Sequence, residues 1–504
     1  MNTPKFHVTA TFNGVYSFYE CLLFIVNGIR DLGYEVTYAD NQLNPDAINI
    51  VLGSYSTISH LNSWTRLSQQ ADNIIIYNWE QVAHDVPYFT QRYFRQMINA
   101  HVWDYNLRNI ESLKKAGIHD IHHVPMSFVP EMCRAPKVEQ QDIDVLFYGI
   151  INERRAAILQ AMRNKGLKLV TTEDSGWMAG EKRDELIARS KIVLNMHFFD
   201  VARVFEIARV SYLLANSKAV VSEIAPNTDI DDDIRAAVVG GQAQDLPQLC
   251  WDLIHDDARR HDLGRKAFEL FSQRHAAHAL KPAIERYLAQ LNAKPAQLGN
   301  PPEHSVALPK ILQIGAAEKW NFMYCNIDAN ANFAPDLPID ISQPVPFEQP
   351  LHSWRFGHTT LTQGYFDKII AKNVFQRVSN LQQALTNCLE LLSEGGIVEL
   401  SVPLDLSLDS WSSLEDCRTF NSSTWEKLLD EWWTYGWTHH RLEIASIEFG
   451  LHNPYGMGVL KDNANDWDSA LRMPRAIDTM NVVLRKRALT NEETELLPQA
   501  RFLD

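Results

Sequence analysis

The 504-residue chain is poor in cysteine: Cys21, Cys133, Cys250, Cys325, Cys388 and Cys417 are its only six, far apart and with no C-x-x-C pair. That spacing argues against a disulfide scaffold or a structural zinc site and fits a reducing compartment. Long apolar runs are also missing. The stretch "CLLFIVNGI" beginning at Cys21 is too short to cross a bilayer and follows a polar first strand, so it is neither a membrane anchor nor a signal peptide. Positive charge is scarce, with 47 Lys and Arg against 62 Asp and Glu and a formal net charge of -15. A general nucleic-acid binder needs clustered basic residues to displace counterions, so that class is set aside, although a local basic pocket is still allowed. The chain also has no internal repeat or low-complexity tract. These absences lead to the expectation of a cytoplasmic protein with no integral membrane segment and no nucleic-acid partner.

Apolar material is plentiful: 45% of the residues are hydrophobic and 10% aromatic, enough for several cores and too much for one ordinary domain. Short β-rich runs ("KFHVTATF", "EVTYA", "INIVLGS", "NIIIYNWEQ") alternate with amphipathic helices up to about residue 130. A second alternating unit starts at "IDVLFYGI" and closes with helix-rich sequence near residue 291. This βαβα pattern predicts parallel sheets with helices on both faces, and ligands bound at the carboxyl ends of the strands. The four prolines of residues 292–310 predict a stiff linker. A third α/β unit follows, with strands "KILQIGAA", "FMYCNIDAN", "FDKIIAKNV", "IVELSVP" and "TMNVVLRKR". The expected boundaries are residues 1–132, 133–291, a linker at 292–309, 310–488, and a polar, poorly ordered tail at 489–504.

Chemistry-bearing residues collect at the predicted strand ends. In "IIIYNWEQV", Tyr77, Trp79 and Glu80 stand where an apolar strand gives out, with Glu80 a candidate base or acceptor ligand. Core packing of Trp79 and helix capping by Glu80 are an equal alternative. Gly14 lets the first loop approach a ligand or simply makes a turn. In "FYGIINERR", Gly149 ends a strand and Asn152 starts a helix whose N-terminus could meet phosphate, with Arg154 and Arg155 in support. His197 follows a buried strand. The stretch "ARVFEIARVSYLLANSKAVVSE", residues 202–223, sets Glu206 between Arg203 and Arg209. Either these groups receive a ligand or they form an ion-pair set on a helix face. The D-x-D spacing in "NTDIDDDI" reads better as a solvated capping loop than as a metal site.

The segments "VWDYNLRNIESLKKAGIHDIHHVPMSF", "DVLFYGIINERRAAIL" and residues 202–223 resemble, in order, group 1-like glycosyltransferases with the GT-B fold. The resemblance covers roughly the first 290 residues. It implies a pair of Rossmann-like domains that transfer a sugar from a UDP- or GDP-linked donor, with no metal required. It further implies an acceptor side at Gly14, Tyr77 and Trp79, and a donor side at Glu206, Arg203, Gly149, Asn152, Arg154 and His197. Glu206 is the implied ribose ligand and Arg203 the phosphate partner, since a carboxylate accepts from both ribose hydroxyls and Arg presents a planar donor fork. The acceptor would be a glycan, glycoconjugate or protein. The family's usual second glutamate is absent, because Tyr212 stands at its position.

Residues 310–487 are similar to class I methyltransferases, through "ILQIGAAEKWNFMYCNIDANANF", "LPIDISQPVPF" and the segment that ends "LLSEGGIVELSVP". The resemblance implies a third Rossmann-like domain with an S-adenosylmethionine site at Gly315, Asp328 and Asp340. The glycine-rich turn is reduced to "GAAEKW", so methylation of the product and retention of the fold without the cofactor both stay open. A non-catalytic role would be binding of acceptor, partner chain or a second copy. A third reading makes methylation the main activity and the GT-B pair a glycan-recognition module.

Overall fold

The computed structural model describes residues 3–10, 19–53, 73–83, 89–98, 100–176, 178–198, 204–291 and 305–500. It divides into two compact units, Met1–Asn300 and Pro301–Asp504.

The first unit contains two parallel sheets. One is built from β1 (Lys5–Ala10), β2 (Glu35–Asp40), β3 (Ile48–Gly53), β4 (Ile74–Asn78), β5 (His101–Asp104) and β6 (Ile121–His123), in the order β2-β1-β3-β4-β5-β6. Every residue of β3 and β4 is buried, as expected of parallel strands covered on both faces. The other has β7 (Ile143–Phe147), β8 (Leu169–Thr171), β9 (Ser190–Asn195), β10 (Ala219–Glu223) and β11 (Val239–Gly241), in the order β11-β10-β9-β7-β8. In each sheet the first strand lies between the second and third, which puts a chain reversal, and hence a ligand crevice, beside its carboxyl end.

The two sheets are not independent bodies. The helix Ala276–Gln290 packs against the helix Tyr19–Asp31, where a Cβ on Gly28 would stand 2.6 Å from Leu280 Cδ1 and 2.8 Å from Ala276 Cβ. One apolar cluster consequently runs from Phe6 through Phe24, Ile187 and Leu213 to Tyr287.

Glu206 does not lie within a helix. Val204 bridges Asp229 and the Phe205 N–H donates to the Asp229 carbonyl (3.3 Å), holding the chain extended, so the helix Ile207–Ala215 starts only after Glu206. Its carboxylate therefore stands at the N-cap position of the helix that carries Arg209.

In the second unit β12 (Ile311–Ile314), β13 (Cys325–Ile327), β16 (Phe366–Lys372) and β17 (Leu392–Pro403) are parallel. The last strand, β19 (Thr479–Ala488), inserts antiparallel between β17 and β18 (His440–Gly450), giving the order β13-β12-β16-β17-β19-β18. A hairpin of β14 (Leu351–Ser353) and β15 (Gly357–Thr359) stands apart. This is a Rossmann-like α/β fold closed by an antiparallel strand. Trp425, Trp432 and Trp437 pack into its core.

The tail departs from its expected disorder: Asn491–Ala500 is helical. The Thr490 hydroxyl accepts from the Glu493 N–H (3.2 Å), and the Glu493 carboxylate accepts from the Thr490 N–H (2.9 Å), Arg441 (2.8 Å) and Arg487 (2.7 Å). That reciprocal cap, clamped by two guanidinium groups, supplies what a polar tail otherwise lacks.

Candidate functional site

The carboxyl ends of β7, β9 and β10 form the floor of the candidate site. Gly149 follows β7 with φ +149°, and a Cβ there would meet Arg209 Nη2 at 3.2 Å and Arg155 Nη1 at 3.6 Å. The missing side chain lets two guanidinium groups close over the backbone. Asn152 caps the helix Glu153–Asn164 by accepting from the Arg155 N–H (3.0 Å) and donates to the Phe198 carbonyl (2.8 Å). The paired arginines differ sharply. Arg155 is 3% exposed and donates to the carbonyls of Ile150 (2.8 Å), Met196 (2.5 Å) and His197 (3.1 Å). Burial, reinforced by neighbouring Arg209, lowers its pKa to about 10. Arg154 grips Glu223 with both terminal nitrogens, one at 3.0 Å, and Glu223 also accepts from the His197 N–H at 3.0 Å. Asn152, Arg154 and Arg155 thus brace the segment Met196–Phe198, a positioning role.

That bracing holds His197 in place. Its ring is 2% exposed and neither nitrogen has a hydrogen-bond partner among the described residues. Burial lowers its pKa, while Glu223 and Glu206 pull the other way. A neutral imidazole that keeps one donor and one acceptor unspent is prepared for a ligand. Glu206 lies beside it, half-buried, its carboxylate unused in capping the helix it precedes. Arg209 lies over the Tyr148 ring (5.4 Å) and donates to Asn195 Oδ1 at 3.4 Å.

The first sheet brings Glu80 and Tyr105 to the same place. Tyr105 stacks on Trp79 (5.1 Å between centroids, 10° between planes). Its hydroxyl pKa is raised by burial and then by the carboxylates Asp104, Glu206 and Glu80, so carboxylates from both sheets bear on one phenol. Glu80 is held by its backbone: its N–H donates to Asn78 Oδ1 (3.1 Å) and its carbonyl accepts from Asn78 (3.0 Å) and Asn109 (2.8 Å). Both amides also donate to buried Asp104, Asn78 at 2.6 Å and Asn109 at 3.2 Å. Nothing in the sequence singled out this Asn78, Asp104 and Asn109 network. Tyr77 is a core residue, a correction to its expected place in a ligand-contacting loop, and Trp79 takes the core-packing alternative. Tyr77 is fully buried and donates to the Val124 carbonyl (2.5 Å), because the apolar strand runs on through it, and Trp79 is fixed by its stack on Tyr105. Gly14 and Arg203 lie outside the described residues.

Tyr212 lies between Arg134 (4.9 Å from its ring centroid) and Arg183 (4.6 Å). The carboxylate those guanidinium groups share is Glu20 from the first sheet's side, 2.9 Å from Arg134 and 2.7 Å from Arg183. Asp184 adds a second contact to each. The D-x-D run is likewise occupied, since Arg274 donates to Asp233 (2.5 Å) and Asp231 (2.6 Å). Among the described residues no group of three or more His, Cys, Asp or Glu could hold a metal ion.

In the second unit the residues implied for S-adenosylmethionine do not fit it. A Cβ at Gly315 (φ +64°) would lie 2.4 Å from Val374 Cγ2, so a side chain already packs on the turn the cofactor would approach. Asp328 is buried and accepts from the Ala317 N–H (3.1 Å) and the Asn330 N–H (2.8 Å), so its carboxylate serves the loop's own backbone instead of facing a ribose. Ala317 is itself left-handed at φ +40°, a conformation that glycine would adopt without strain. Asp340 is exposed and accepts from the Ser342 N–H at 2.9 Å.

No family model matches the chain. An uncharacterized protein, L140, of Acanthamoeba polyphaga mimivirus is 28% identical over 170 residues, 33% of this chain and 54% of that protein, so the chain spans about half the length of this relative. Among solved structures, AviGT4, a glycosyltransferase involved in avilamycin A biosynthesis, is 15% identical with a TM-score of 0.37, over 56% of this chain and 98% of that one. An S-adenosylmethionine dependent methyltransferase from Mesorhizobium loti is 14% identical with a TM-score of 0.23, over 36% of this chain and 93% of that one. No helix among the described residues is long and apolar enough to cross a membrane.

Proposed function

We propose that the first unit is a glycosyltransferase that moves a sugar from a UDP- or GDP-linked donor to a glycan, glycoconjugate or protein acceptor. The observation that carries this reading is the convergence of Glu206 and Glu80, from the carboxyl edges of two doubly wound sheets, on Tyr105, with His197, whose ring nitrogens have no partner among the described residues, beside Glu206. Glu206 accepts from the ribose hydroxyls. Arg209 and His197 face the diphosphate, where the guanidinium stabilises the charge that develops as the bond from the sugar's anomeric carbon to the diphosphate oxygen breaks. Glu80, across the crevice, takes the proton from the acceptor hydroxyl whose oxygen forms the new bond.

Titration calorimetry with UDP and GDP tests the donor site. Glu206→Ala should weaken the preferred nucleotide about tenfold or more, the size of a lost charge-assisted hydrogen bond. Glu80→Gln should leave nucleotide affinity unchanged while abolishing transfer. Unchanged nucleotide affinity in Glu206→Ala would overturn the assignment.

For the second unit we infer a non-catalytic binding or scaffolding role, supported by Val374 on the Gly315 turn and by the engagement of Asp328 with its own loop. A saturable S-adenosylmethionine isotherm that Asp328→Ala eliminates would refute that role.

A further inference from the structure

On the opposite edge of the second sheet, where its strands begin, is a basic pocket of about 440 Å³. Lys191, Lys218, Arg260 and Arg265 line it, in a chain whose net charge is -15. The helix Asp257–Ser272 comes so close here that a Cβ on Gly264 would lie 2.2 Å from the Ser217 carbonyl oxygen. That contact fixes Arg260 and Lys218 side by side beneath the start of β10.

A count of donors shows what the pocket lacks. Lys218 is buried and its ammonium donates to the carbonyls of Ser190 (2.5 Å) and Ala188 (3.3 Å), which leaves one of its three N–H groups unspent. Arg260, also buried, donates to Leu253 and Ile254 (both 3.2 Å) and to Asp257 (2.5 Å), while its Nε–H has no partner among the described residues. The carboxylates nearby belong to other cations: Asp144 to Lys191 (2.8 Å), Asp262 and Glu269 to Arg265 (both 2.5 Å), and Asp257 to Arg260. None pairs with Lys218. Burial, with the adjacent Arg260 guanidinium adding to it, brings the Lys218 pKa down to about 8. A buried ammonium that faces a second cation and has no counter-charge is costly unless an anion completes it.

We propose that this pocket binds a phosphate-class oxyanion, held by the spare Lys218 and Arg260 donors with Lys191 on its open side. It is separate from the site at the carboxyl edge, from which the length of β9 and β10, roughly 17–20 Å, divides it.

Titration calorimetry of the full-length chain with inorganic phosphate at low ionic strength tests the proposal. One saturable site is expected that survives Arg209→Gln, weakens about tenfold or more in Lys218→Met, and weakens several-fold in Lys191→Gln. Should Lys218→Met fail to fold, the partly exposed Lys191→Gln decides alone. Three results would overturn it: no saturable binding, affinity unaltered in Lys191→Gln, or binding abolished by Arg209→Gln, which would place the anion at the carboxyl edge.

Discussion

The strongest single-residue effect is expected at Asp336, in the second unit. Asp336 and Arg355 are both 0% exposed by side chain and meet at 3.1 Å. The carboxylate also accepts from the Asn326 N–H and amide (both 2.8 Å) and from Trp320 Nε1 (3.2 Å). The guanidinium donates to the carbonyls of Tyr324 (2.9 Å) and Phe322 and lies against Trp320 and Phe356. Burial raises the Asp336 pKa and lowers that of Arg355 in spite of their attraction, so each ion is held against a desolvation cost that its partner helps to offset. Asp336→Ala leaves the guanidinium charged and uncompensated, which costs about 3–5 kcal/mol. In a unit of about 200 residues each kcal/mol lowers the melting temperature by roughly 2–4 °C, so its transition should fall by ~6–20 °C. The double change Asp336→Leu with Arg355→Met removes both charges and should recover most of that loss. Differential scanning calorimetry of the full-length protein measures both. A single variant that melts within about 2 °C of the parent, less than 1 kcal/mol of lost stability, would refute the reasoning, as would a double variant no better than the single.

Asp104, pushed up from 3.8 to about 8 by burial despite three donors, binds its proton more tightly folded than unfolded. Its stabilising contribution is therefore full below about pH 4 and lost as the pH rises through about 8. Urea titrations across that range should show a slope that Asp104→Asn removes, and an identical slope in the variant would count against it. Gly315→Ala should destabilise by about 1–3 kcal/mol, from the positive φ and the clash with Val374, and adding Val374→Ala should restore the part due to the clash. Glu493, depressed to about 2 chiefly by its bond to Arg487, should release the terminal helix when changed to Gln; limited proteolysis should then cut past Ala488 faster than in the parent.

Strands β3 and β4 were legible because an unbroken apolar run in a βα context has little else to become. Glu206 was legible as a residue, but its position at a helix cap was not, because the Val204 bridge depends on Asp229. The fates of Arg154 and Arg155 could not be separated in sequence: two adjacent arginines on one helix find Glu223, at the end of β10, and the Met196 carbonyl, just past the end of β9. Tyr77 was misplaced because the end of an apolar run does not mark where burial ends. The "GAAEKW" departure did foreshadow the closed Gly315 turn, since the residue that packs on it is the bulky Val374 and the left-handed position after it is an alanine.

The place of Glu20 bears on how this protein can be taken apart. Its carboxylate comes from the first sheet's side and neutralises Arg134 and Arg183 around Tyr212. A fragment beginning near residue 133 would keep both guanidinium groups and lose the acid between them. It would also bare the flank of Ala276–Gln290 that Gly28 covers. Ligand affinities measured on such a fragment would belong to a more positive, stickier object, and the smallest honest specimen for studying the proposed donor site is the whole of residues 1–300.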